Sequence, residues 1–125
     1  MRRIVTTTNA PPPAGHYSQA VIASGEFLFV SGQTPRHPDG ERMTGQPFVA
    51  DARQALTNLK AIVEAAGYDL AKDCVKVVVY LRDLGDKSEF DAVFAEFTGP
   101  QPPARSIVQS SFKDFSVEIE AVLVR

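Results

Sequence analysis

The side chains best suited to chemistry in this sequence lie near its C-terminus: Arg105, Glu118 and Glu120. Arg105 follows Pro102-Pro103-Ala104 and opens a strand-like run. Its guanidinium is permanently charged and presents a planar fork that matches a carboxylate. By residue type and place alone, a surface ion pair with a nearby acid is the commoner role. Glu118 and Glu120 stand two apart in an alternating run, so they share a strand face about 6–7 Å apart. A half-buried carboxylate whose pKa is raised acts as a base on water; solvated or salt-bridged acids are the plainer alternative. Ser31-Gly32-Gln33 closes another strand. A glycine there admits close approach to the backbone and leaves an N–H free to donate, although a strand-ending turn needs the same residue. Tyr17 brings a ring and a hydroxyl either to a pocket or to ordinary packing. Cys74, in a valine-rich run, reads as inert core, and His16 reads as a loop residue. No Ser-His-Asp set, phosphate loop or dinucleotide glycine pattern is present.

The elements that must position these groups follow from patterning. Two strands are expected between Tyr17 and Ser31, the first around Val21-Ile22 and the second from Phe27 to Val30, with Ser24-Gly25-Glu26 as the turn. Residues 34–46 read as loop, with Asp39-Gly40 a turn pair. Pro47 suits the first position of a helix. Val49, Ala52, Leu56, Leu59, Val63 and Ala66 form its apolar stripe, and Gly67 ends it. Cys74 to Leu81 is a strand by its valines. Asp86 and Glu89 have capping-box spacing before a helix with Phe90, Val93, Phe94 and Phe97 on one face, stopped by Gly99-Pro100. Arg105–Ser110 and Val117–Val124 are the last strands, joined by a loop around Lys113-Asp114. A further short strand fits Arg3–Thr6.

The order β-β-α-β-α-β-β predicts an α+β domain over residues 1–125: a single mixed sheet with two helices on one face. The other face would then mix Cys74, Lys76, Val78, Tyr80, Glu118, Glu120, Val122 and Val124. Such a face fits open water poorly and predicts packing against further copies of the chain.

Composition narrows the function classes. With 125 residues the chain suits one domain. Net charge is −2, from 13 basic and 15 acidic residues, which gives no basic excess for nucleic acid. One cysteine excludes an intrachain disulfide and fits a reducing compartment. Two histidines and one thiol make a conventional zinc cluster a poor reading. Ile4 to Pro13 has no apolar core for a signal peptide, so residence in the cytoplasm is expected.

Three segments together carry a resemblance: Gly15-His16-Tyr17-Ser18-Gln19-Ala20, Ser31-Gly32-Gln33, and Pro103-Ala104-Arg105-Ser106 followed by Val117-Glu118-Ile119-Glu120-Ala121. In this order and spacing the chain resembles the RidA family of reactive-intermediate deaminases, also called YjgF or L-PSP proteins, over essentially its whole length. The resemblance implies a chorismate-mutase-like fold and a homotrimer with sites between subunits. It implies hydrolysis of 2-imino acids to 2-keto acids and ammonia, with no metal or organic cofactor; the charge balance and the lack of a long apolar run give the expectation of no nucleic-acid and no membrane partner. Arg105 matches the family arginine that grips the substrate carboxylate, and Glu118 the glutamate that activates water. Tyr17, Ser31 and Gly32 match pocket positions, Ile107 stands where a pocket cysteine is frequent, and Glu120 matches a second glutamate. His16 replaces the usual proline, and Asp91 and Phe94 stand where Asn and Tyr are common. Two other functions compete: a trimer that binds small carboxylates such as 2-keto acids without catalysis, and an endoribonuclease or translation inhibitor, against which the net charge argues.

Overall fold

In Val117–Val124 the odd-numbered residues Val117, Ile119, Ala121 and Leu123 are buried, and this alternation sets the inner face of the main sheet. The computed structural model describes all 125 residues, Met1–Arg125. In chain order the elements are β1 (Arg2–Val5), β2 (Ala20–Ala23), β3 (Phe27–Gln33), α1 (Phe48–Ala65), α2 (Leu70–Asp73), β4 (Cys74–Leu81), a 3₁₀ turn (Leu84–Asp86), α3 (Lys87–Thr98), β5 (Ala104–Gln109) and β6 (Val117–Val124). Four strands form a mixed sheet in the order β3-β6-β4-β5. β6 runs antiparallel to β3 and β4, while β4 and β5 are parallel.

The expected single sheet is corrected at the N-terminus. β1 and β2 pair with each other, from Arg2 opposite Ala23 to Val5 opposite Ala20, in a separate two-stranded sheet. The chain turns after β2, but β3 pairs with β6 instead of β2. The reason is burial: β6 sets Leu123 opposite Leu28 and Ala121 opposite Val30 on the core side, which four-residue β2 cannot match.

α1 buries Ala52, Leu56, Leu59 and Val63 of the predicted stripe, whereas Val49 in its first turn and Ala66, the C-cap beyond its last turn, stay exposed. Pro47 is the N-cap, one residue before the expected position. At the other end Gly67 takes φ +82°. Its N–H donates to Glu64 O at 2.9 Å and that of Tyr68 to Val63 O at 3.0 Å, the paired bonds of a Schellman ending.

Three further details differ from expectation. The capping box at Asp86 does not form. The 3₁₀ turn runs straight into α3, with Lys87 N donating to Leu84 O and Asp86 N to Asp83 O, and it is Asp83 whose side chain accepts, from Gly85 N at 2.8 Å. The short α2 has no periodicity to betray it; Asp69 caps it, accepting from Lys72 N at 2.9 Å. In β4 the register shifts between Cys74 and Lys76, which oppose the adjacent residues Leu123 and Val122. This bulge turns Cys74 to the core with Val77, Val79 and Leu81, out of simple alternation.

α1 and α3 cover one face of the sheet, where Phe90 and Phe94 join the leucines of α1 in the core. The other face is open. Phe27 and Phe29 stack at 6.0 Å and are 54% and 74% exposed, and a hollow of about 240 Å³ lies among Phe29, Lys76, Val78, Glu120 and Val122. No helix is long and apolar enough to cross a membrane.

Candidate active site

Arg105 is the second residue of β5 and pairs in register with Val77, a fully buried residue of the helix-covered face. Its side chain therefore points toward α3, and so does that of Ile107, opposite Val79 and packed on the core. The Arg105 side chain is only 3% exposed. Aromatic rings wall it: Tyr17 at 5.2 Å, Phe94 at 5.5 Å and Phe90 at 5.9 Å from Cζ to ring centre. Nη1 forms an ion pair with Asp91 Oδ1 and donates to the His16 carbonyl at 3.2 Å. Nε and Nη2 make no hydrogen bond, so one edge of the fork is uncommitted. The ion pair expected of a lone arginine is thus present, but in a buried aromatic box instead of at the surface.

A strap of residues 15–18 closes this box. Ser18 N donates to Pro103 O at 3.0 Å, and Ser18 Oγ donates to Pro102 O. His16 Nε2 donates to Gly99 O at 2.9 Å. Tyr17 Oη accepts from Ala14 N at 3.0 Å, which holds its ring beside the guanidinium.

Glu118 belongs to a different surface. It opposes Tyr80, and Glu120 opposes Val78, both on the open face. Tyr80 Oη donates to Glu120 Oε1 at 2.7 Å. This bond, with burial second, holds the Tyr80 phenol above its usual pKa. Glu118 makes no hydrogen bond or ion pair, and it lies over Gly32 at the wall of a cavity of about 640 Å³. A Cβ on Gly32 would stand 2.8 Å from Glu118 Cδ, so the glycine makes room for the carboxylate. Ser31 is exposed beside it. Arg36, Arg42, Asn58 and Phe115 form the far wall. Arg42 stacks on Phe115 at 4.3 Å and donates to Thr34 Oγ1 at 3.0 Å. Burial, with repulsion from Arg36 second, lowers the pKa of Arg42.

The candidate residues therefore form two centres. Tyr17, Arg105 and Ile107 lie with Asp91 on the helix side; Ser31, Gly32 and Glu118 lie by the cavity; Glu120 is tied to Tyr80. Sequence reasoning noted Asp91 only as a departure and missed it as the partner of Arg105. It also missed Arg42 and Phe115, because nothing in the pattern of loop 34–46 links it to residues 115–118. Cys74 is core, as read: burial pushes its thiol up to about 12.

Fold and site together define the class: an α+β protein whose mixed sheet carries helices on one face and polar centres on both. The chain belongs to the family described as Endoribonuclease L-PSP, whose relatives carry RidA, YjgF and RutC names and whose model matches residues 7–125. A RutC family protein of Pyrococcus horikoshii is 45% identical over 124 residues, covering 98% of this chain and 97% of the relative. The crystal structure of a Rid family protein of unknown function, YyfB from Yersinia pestis, matches with a TM-score of 0.87 at 29% identity, covering 99% of this chain and 98% of that one. RidA from an Antarctic Psychrobacter gives 0.74 at 38% identity, covering 98% and 99%.

Proposed function

We propose that the protein hydrolyses 2-imino acids to 2-keto acids and ammonia, in sites shared between the subunits of a cytoplasmic homotrimer. The observation that carries this reading is the contrast between the two glutamates: Glu120 already accepts a hydrogen bond from Tyr80, while Glu118 is unpaired beside Gly32 and a cavity. An unpaired carboxylate at a cavity wall is free to take a proton from water.

The chemistry suits the groups. The free Nε–Nη2 edge of Arg105 holds the substrate carboxylate with two parallel hydrogen bonds and so fixes the adjacent C=N carbon. Glu118 of a neighbouring subunit takes a proton as water adds to the carbon of the N-protonated imine, which gives a neutral carbinolamine. Glu118 returns that proton to nitrogen; as the C–N bond breaks the hydroxyl gives its own proton to Glu118, and keto acid and ammonia leave. The exposure of Phe27 and Phe29 on the open, mixed polar face supports the shared arrangement, since a second copy would cover them.

The test is a coupled assay. An amino-acid oxidase generates 2-imino acids in situ, and semicarbazide competes for them. Faster keto-acid release on addition of this protein, lost in Glu118→Gln, is the expected result. No acceleration over a range of amino acids would overturn the reading and favour a trimer that binds small carboxylates without turning them over. An RNase assay with Arg105→Ala as control separates the nuclease that the family description names from contamination.

A further inference from the structure

Arg105 is not a free cation. Its Nη1 is paired with Asp91, so the buried site carries one positive and one negative charge side by side. Asp91 is 23% exposed, and its Oδ2 makes no hydrogen bond; neither does Arg105 Nη2. Both atoms face the backbone of Gly15. A Cβ built on Gly15 would lie 2.6 Å from Asp91 Oδ2 and 2.9 Å from Arg105 Nη2. Among polar side-chain atoms fully withdrawn from solvent, only Asp51 Oδ1 lacks a partner, so the uncommitted donor and acceptor here both still touch water. Gly15 therefore packs directly on both charged groups, and a side chain there would press on them.

We propose that Asp91 and Arg105 form a two-charge clamp that reads a zwitterion: carboxylate on Arg105, and an adjacent protonated nitrogen on Asp91. The inference rests on the deaminase reading and deepens it by naming the protonation state selected. A protonated 2-imino acid carries a carboxylate beside a cationic nitrogen, one atom removed along the skeleton. It satisfies both charges of the clamp at once. The 2-keto acid product keeps the carboxylate but replaces the nitrogen with oxygen. Its anion must then share the one Arg105 cation with the Asp91 carboxylate, and two like charges in a partly buried site disfavour it. Asp91 is thus a specificity-determining residue: it favours substrate over product and makes the arginine alone a poor anion trap.

The experiment is calorimetric titration with a matched pair of the same skeleton, 2-aminobutanoate and 2-oxobutanoate. Wild type, Asp91→Asn and Arg105→Ala are compared. Asparagine keeps shape and the acceptor toward Nη1 but removes the charge. The expected result is that wild type prefers the amino acid, and that Asp91→Asn binds the keto acid at least about tenfold more tightly while losing that preference. Unchanged affinities in Asp91→Asn, or an equal weakening of both ligands, overturn the clamp and leave Asp91 a mere support for Arg105. So does failure of wild type to bind either ligand. If Asp91→Asn does not fold by circular dichroism, Asp91→Ser takes its place with the same expectation. Arg105→Ala tells the two readings apart. Wild-type binding in that variant means the carboxylate is held elsewhere and the deaminase site itself is misplaced; lost binding there, with no effect in Asp91→Asn, removes the clamp alone.

Discussion

Arg105 and Glu118 point to opposite faces of one sheet. Arg105 is level with Val77 on the helix-covered side, and Glu118 is level with Tyr80 on the open side. They are two strands and three residues apart, about 10 Å in each direction from strand spacing and rise. No side-chain rotation in one chain brings a group held by that arginine to that carboxylate. If both act on one molecule, they come from different chains.

The first prediction follows from this separation. Arg105→Ala and Glu118→Gln should each be inactive alone. Refolded together at equal amounts, they should recover about a quarter of wild-type turnover, the statistical share of sites that draw both intact residues from two chains. No recovery in verified mixed oligomers would place both residues in the same site of one chain and contradict the shared arrangement.

Gly32 supplies a second test. A methyl group there would press on the Glu118 carboxyl, whose Cδ would lie 2.8 Å away. The carboxylate would have to swing aside, and a displacement of about 1 Å commonly costs a large factor in rate. Gly32→Ala should lose at least about tenfold in turnover while its melting temperature changes by only a few degrees. Full turnover would mean that the position of Glu118 over Gly32 does not matter to the reaction.

Cys74 gives a prediction about pH. Burial raises its pKa from 9.0 to about 12. A raised folded-state pKa means stability that is complete below the unfolded value and lost as pH climbs through the folded one. Stability should therefore fall between about pH 9 and about pH 12, with the raised phenols of Tyr68 and Tyr80 adding to the decline. Comparing urea midpoints at about pH 8 and about pH 10.5, Cys74→Ala should lose less than wild type, although the alanine variant is weaker throughout. A thiol reagent should leave native Cys74 unmodified and label it once urea unfolds the chain. Equal alkaline losses in both proteins would assign the decline to the tyrosines.

What the sequence disclosed and what it withheld divide along a physical line. Helix α1 and strands β4 and β6 were legible because burial on one face writes a period into the residues. The partner of β2 was not, since period gives a strand its faces but not its neighbour. The pairing of Arg105 with Asp91 was hidden for the same reason. One lies on a strand, the other on a helix fourteen residues earlier, and only the packing of α3 over β5 brings them together. Glu118 and Glu120 are equivalent by pattern; the hydroxyl of Tyr80, contributed by the neighbouring strand, distinguishes them.

That distinction supports the last prediction. Glu120 receives the Tyr80 hydrogen bond at 2.7 Å, whereas Glu118 is unpaired beside its cavity. Glutamine at position 118 keeps the size of the side chain but cannot serve as a base, so turnover should fall by roughly 10²–10⁴-fold. Binding of a 2-keto acid should change little, because Arg105 still holds the carboxylate. Glutamine at position 120 can still accept from Tyr80 through its carbonyl oxygen, so Glu120→Gln should keep turnover within about tenfold of wild type. Removing the donor gives a second check: Tyr80→Phe leaves Glu120 without its hydrogen-bond partner while keeping the ring opposite Glu118, and should resemble Glu120→Gln. A large loss in Glu120→Gln with near-normal Glu118→Gln would reverse the assignment and make the Tyr80–Glu120 pair the proton-handling unit.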